Sequence, residues 1–217
     1  LLDLYEASFD VGWLEWALEL QATMDRLFYD QKHGGYFSTS GQDKTVLLRI
    51  KDDNDSAEPA ASSIAASNLL RLAQIRNNPR YREQAKKTIA AFSATLSRFP
   101  SAMPQMLVAL DLSLTEPRQI VIAGPVETVE TKALLAEVHQ HFLPNKVLLL
   151  ADGKEGQTFL AQTNEAIGSM TQVDRKPAAY VCENFTCQAP VMNPDELRQL
   201  LTSPEYFVGS TESPASV

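Results

Sequence analysis

The spacing of apolar residues changes once along the chain. As far as Leu114 they recur every three or four positions, the period of an amphipathic helix. Beyond Pro117 they gather into short continuous runs, which mark buried strands. The pattern predicts helical hairpins over 1–116, a small α/β unit over 117–201 and a flexible Ser/Thr/Pro-rich tail over 202–217. The fold class expected is α+β.

In the first part, Trp13, Trp16, Ala17, Leu20, Met24, Leu27 and Phe28 form one stripe, so both tryptophans are read as core. Asp10 is placed to cap this helix and Gly34-Gly35 to end it. Tyr36–Thr39 and Val46–Ile50 flank a polar Gly41 turn and predict a β-hairpin. After the acidic loop at Asp52, Asp53 and Asp55, a second helix starts at Glu58-Pro59. Its first turns are small residues on nearly every side, which suits an inner helix. A third helix starts at Asn78-Pro79 and carries one stripe from Tyr81 to Phe99. A fourth follows Pro100, with Pro104 tolerable only in its first turn.

In the second part, Arg118–Gly124, Thr131–Phe142 and Lys146–Ala151 read as strand, helix, strand, a βαβ unit. A third strand is expected at Ala178–Cys182 and a last helix at Asp195–Leu201.

Composition narrows the function classes. The chain has 217 residues, 44% of them hydrophobic, and a net charge of −8. Basic residues do not cluster, which argues against nucleic acid or an anionic membrane surface as partner. No apolar run approaches the ~18 residues of a membrane span. Two cysteines are too few for a secreted disulfide scaffold, so a cytoplasmic location is expected. The first residues, Leu1-Leu2-Asp3, carry neither an initiator Met nor a signal peptide, and the expectation is a piece of a longer protein. Asn54-Asp55-Ser56 and Asn184-Phe185-Thr186 match the glycosylation pattern, with no secretion signal to support them.

Nucleotide-binding glycine loops, the serine-hydrolase elbow and the zinc-protease helix motif are all missing from the sequence. No cofactor and no metal site are expected. His139 and His141 are two apart on a helix and do not converge, and His33 sits in a turn. Among the acidic residues, Glu58 and Asp55 are the candidates for acid/base work on a sugar, since carboxylates at the start of an inner helix can face a cavity. The same groups are also good helix starts. Cys182 and Cys187 leave three readings open: two buried thiols, a close dithiol that can oxidise, or half of a metal site.

Several segments together resemble a known family. Asp55-Ser56-Ala57-Glu58-Pro59-Ala60-Ala61-Ser62-Ser63 resembles its D-G-A-E-P-S-G-N-S segment, with Lys51 before it and Asn68–Leu72 after. Pro104–Leu107, Phe142–Val147 and above all Tyr180–Gln188 fit further along. The set is similar to the C-terminal part of the thioredoxin-domain-containing DUF255 family. The resemblance implies a longer parent with an N-terminal thioredoxin-like domain. It also implies an α/α toroid of the six-hairpin glycosidase type, similar to N-acylglucosamine 2-epimerases, with the helices before Pro117 as its last hairpins. Asp55, Glu58 and Ser63 keep the family pattern and, with Lys51, are the implied cavity residues. Ser56, Ala60, Ala61 and Ser62 depart from it.

Three functions follow as expectations. The first is a scaffold and sugar-binding cavity wall, with a small carbohydrate as ligand. The second is a thiol-redox region using Cys182 and Cys187. The third is a non-catalytic module docking the missing parts of its parent, with self-association through exposed helix faces. Catalysis by this stretch alone is not expected.

Overall fold

A computed structural model describes residues 1–115, 117–183 and 186–202. The tail expected after Thr202, and Asn184 and Phe185 of the second glycosylation pattern, lie outside the described residues.

The chain opens with a short helix that the periodicity did not predict, α1 (Leu2–Ser8). Phe9, at φ 58°, turns the chain into α2 (Val11–Phe28), which Asp10 caps by accepting from the Gly12 amide. Leu14 and Gln21 are the buried anchors of α2, whereas Trp16 and Leu20 of the predicted stripe are exposed. The helix stops six residues before Gly34, because the polypeptide there turns back to bridge Tyr29 with Tyr36.

The predicted hairpin does not form. Between Tyr36 and Ile50 the chain is irregular, held by the Ser38 amide donating to the Ile50 carbonyl and by Arg49, which donates to the carbonyls of Thr39 and Leu27. Leu47 and Leu48 are exposed, so no second layer among the described residues covers the apolar face that a strand would need.

The inner helix is as expected from its small residues, starting two positions late: α3 (Ala61–Ile75) buries Ser62, Ser63, Ala65, Ala66, Leu69 and Leu70. Packed against it is α4 (Pro79–Ala91), which after a break at Phe92 is followed by α5 (Ser93–Arg98). The predicted single stripe is therefore two helices, and Phe99 lies exposed. A 3-10 turn (Pro100–Ala102) leads into α6 (Pro104–Leu114), with its proline in the first turn. A polar network ties α2 to α4. The Tyr36 hydroxyl donates to Asp25, and the side-chain amides of Gln21 and Gln84 donate to both. Burial and the Asp25 carboxylate push the Tyr36 phenol far above its ordinary pKa.

The α/β part runs β1 (Arg118–Ala123), α7 (Val129–Gln140), β2 (Lys146–Ala151), α8 (Glu155–Ala161), α9 (Glu165–Ser169), β3 (Ala178–Glu183), β4 (Thr186–Cys187) and α10 (Pro194–Thr202). The sheet order is β2-β1-β3-β4, with β1 and β2 parallel and the other pairs antiparallel. The βαβ unit is thus present. Phe142, predicted on the buried face of its helix, lies beyond α7 and is exposed.

Period-two alternation divides each strand between two cores. Ile120, Ile122, Leu148 and Leu150 pack with α7 and α10. Val121, Ala123, Val147 and Leu149 pack with Leu2, Tyr5, Leu14, Leu72 and Ile75 of α1 to α3. One face of the sheet is therefore closed by the helical part. On the other face, Glu137 of α7 takes a bidentate pair from Arg198 of α10 and a bond from His141. Those hydrogen bonds hold the Glu137 carboxyl below its ordinary pKa. His141 is thus a structural partner and not merely a surface residue.

Asp30 fixes the irregular loop. Its carboxylate receives Lys51 Nζ at 2.8 Å and the amides of Lys32 and His33 at 2.9 and 3.0 Å. Burial works to raise its pKa, but the Lys51 hydrogen bond and the two amides outweigh this and hold it well below the usual carboxylate range. A carboxylate depressed in the folded state stabilises fully above its unfolded pKa of about 3.9. That contribution is lost as pH falls through the folded value. Urea unfolding from neutral pH into acid should show Asp30→Asn less stable near neutrality and less sensitive to acid below about pH 4. Parallel acid limbs for the two proteins would contradict this role.

Candidate functional site: a disulfide beside an amide-lined cleft

The four residues singled out around the inner helix share no partner among the described residues. Asp55 accepts three backbone amides, from Ala60 at 2.8 Å, Gln105 at 2.8 Å and Met106 at 3.2 Å. It thereby caps α6, whose N-cap residue Met103 offers no side-chain cap, and ties that helix to the start of α3. Glu58 is exposed on the segment before α3 and makes no hydrogen bond or ion pair with the described residues. Lys51 is spent on Asp30 and the Gly34 carbonyl. Ser63 is fully buried, and its hydroxyl is without a hydrogen-bond partner among the described residues. Ser62, where the family pattern has Asn, receives the Tyr36 amide at 2.9 Å.

Cys182 and Cys187 are the candidates that the tertiary structure brings together. They face each other in register across β3 and β4 and are joined as a disulfide. Antiparallel pairing places directly opposite side chains on one face of the sheet, which is what lets two residues five apart meet. The bond is asymmetric: Cys182 is buried and Cys187 is exposed. Of the three readings, that of two free buried thiols does not hold, because both sulfurs are in the bond.

The disulfide borders a cleft of about 360 Å³ between the end of α3, the start of β1 and the α8–α9 turn. Its polar lining is mainly amide: Gln74, Gln119, Gln162 and Asn164. Gln119 stands opposite Cys182 in the β1–β3 register and donates to the Gln74 carbonyl at 3.1 Å. None of these amides belonged to a sequence motif, so no local signal could have found them. They meet only because β1, α3 and α9 converge. Among the described residues, no group of three or more metal-ligating side chains is placed to hold an ion, and no helix is long and apolar enough to cross a membrane.

No family model matches the chain. It is similar to spermatogenesis-associated protein 20 of Homo sapiens, 44% identical over 202 residues, covering 93% of this chain and 26% of that protein. The protein of the same name in Mus musculus is also 44% identical, with 25% of its length covered. An uncharacterized protein of Caenorhabditis elegans is 33% identical over 200 residues, 27% of its length. The chain spans about a quarter of the length of these relatives.

Proposed function

The chain belongs to the spermatogenesis-associated protein 20 family, the thioredoxin-domain DUF255 family, and matches its C-terminal part; from that premise we propose that this region is a scaffold carrying an accessory redox disulfide for the larger protein. The observation that carries the reading is the asymmetric Cys182–Cys187 bond, with one sulfur buried and the other open at the edge of a cleft. Exchange with a thiol needs an accessible sulfur to attack, and Cys187 offers it.

A carbohydrate role draws less from the geometry. Asp55 is engaged by three backbone amides, and Glu58 is exposed and makes no hydrogen bond or ion pair with the described residues. The scaffold half of the proposal draws on exposed apolar side chains. Leu47 and Leu48 in the irregular loop and Phe99 after α5 offer surface for the rest of the larger protein or for self-association.

The test is a redox titration of the native protein, followed by mass after alkylation. Reversible opening by dithiothreitol without loss of fold is expected, because a bridge across so short a loop constrains the unfolded chain by only about 2 kcal/mol. The double variant Cys182→Ser, Cys187→Ser should accordingly stay folded. A disulfide that opens only in denaturant would defeat the reading.

A further inference from the structure

The cleft beside the disulfide has the chemistry of a peptide site. Carboxamides both donate and accept hydrogen bonds, as backbone peptide groups do. Asn164 is 7% exposed, yet its carboxamide makes no hydrogen bond with the described residues. Its neighbour Gln157, similarly buried, contrasts with it. Gln157 spends its carboxamide on the Gly153 amide and on the carbonyls of Ile167 and Met170. Although Asn164 is mostly buried, its carboxamide is open to the cleft, where its donor and acceptor are available to a bound group. The side chains of Gln74 and Gln162 are likewise without protein partners among the described residues, and Gln119 keeps its side-chain carbonyl free.

Charge selects further. Glu165 is the one charged side chain among the described residues lining the cleft. A thiol compound bearing carboxylates would bring added like charge and meet no cation, whereas a segment with an uncharged backbone and flanks would not. The volume falls in the range of sites that enclose small ligands or short segments.

We propose that this cleft binds a cysteine-containing polypeptide segment through its backbone amides and presents the segment's thiolate to the Cys187 sulfur. The proposal rests on the redox reading above and names its substrate class. In the exchange, the thiolate sulfur bonds to Cys187 Sγ as the Cys182–Cys187 bond breaks. The bonding electron pair leaves with Cys182 as a thiolate, and the proton of the attacking thiol has already passed to solvent. The product is a mixed disulfide between the segment and Cys187. No other oxidant or reductant is consumed.

The experiment compares three thiols on the native protein at equal thiolate concentration: a blocked, uncharged pentapeptide with a central cysteine, the anionic tripeptide glutathione, and dithiothreitol. The pentapeptide should open the disulfide with saturable kinetics and roughly tenfold faster than glutathione, the factor that one or two hydrogen bonds supply. Asn164→Ala, and independently the exposed-site variant Gln162→Ala, should each slow the pentapeptide severalfold and leave dithiothreitol unchanged. Equal rates for pentapeptide and glutathione would overturn the proposal, as would variants that slow all three thiols alike. Failure of dithiothreitol itself to open the bond would instead remove the redox reading on which the proposal stands.

Discussion

Asp55→Ala should destabilise the protein by about 3 kcal/mol, the sum expected when a carboxylate cap serving several amides is lost. For a chain of this size that corresponds to a melting temperature lower by roughly 6 to 12 °C. The carboxylate serves two places at once. One oxygen receives Ala60 N, at the entry to α3, and the other receives Gln105 N and Met106 N, in the first turn of α6. The amides at a helix N-terminus have no intrahelical acceptor, and here Met103 supplies none from its side chain. Removing Asp55 leaves three donors to find water. It also cuts a link between segments fifty residues apart. Asp55→Asn keeps one acceptor oxygen and should lose about half as much. Urea unfolding of both variants decides the matter. An alanine variant as stable as the parent would show that the contacts are idle and reopen Asp55 as a free functional carboxylate.

Gly34→Ala should cost a similar amount, about 3 kcal/mol, for a different reason. Gly34 sits at φ +75°, where a side chain is strained. A Cβ added there would lie 2.4 Å from the carbonyl oxygen of Lys87 and 2.7 Å from its carbon, both backbone atoms of α4. Backbone cannot rotate aside as a side-chain tip can, so either α4 or the loop must move. The same loop carries Asp30 and is gripped by Lys51, so a shift of Gly34 also loosens that ion pair. Thermal unfolding and hydrogen exchange across residues 30–51 would register the loss. Gly35→Ala provides a comparison. Its φ is also positive, +77°, but its added Cβ would meet side-chain atoms of Phe92 and Lys51 at 3.2 and 3.3 Å and no backbone, so it should cost less.

The helix starts were legible because they depend on local chemistry. Asp10 caps through a residue two positions away, and Pro79 and Pro104 sit in first turns where a missing N–H costs nothing. The βαβ run and the inner position of α3 were legible for a related reason. Continuous apolar strands and all-round small residues each have few other places to go. What failed were readings that treated periodicity as burial. Trp16, Leu20, Phe99 and Phe142 all fit an apolar stripe, and all are exposed, because none of the described elements covers them. The expected hairpin at Tyr36–Ile50 failed likewise: Tyr36 is buried in the helical core, but Leu47, Leu48 and Ile50 of the second run are exposed and form no β-ladder with the first.

The candidate site shows the same division. Sequence nominated Cys182 and Cys187, since any pair of cysteines so close is a redox or metal candidate. It could not say whether they bond, because that depends on which residue of β4 falls opposite Cys182, a register set by strand pairing. It nominated Asp55 on residue type and family pattern, and tertiary contact turned that carboxylate into a cap. Gln74, Gln119, Gln162 and Asn164 belong to no motif and meet only where α3, β1 and the α8–α9 turn converge.

By itself, then, the sequence determined the inner helix, the βαβ run and the last helix, where several helices begin, and the family to which the chain belongs. Those properties are carried by neighbours along the chain. The tertiary structure alone decided which apolar faces are covered, which carboxylate is consumed as a cap, and which cysteine sulfur stays open beside the amide cleft. Burial, capping at long range and strand register are relations between residues distant in sequence, and they exist only once the chain has packed.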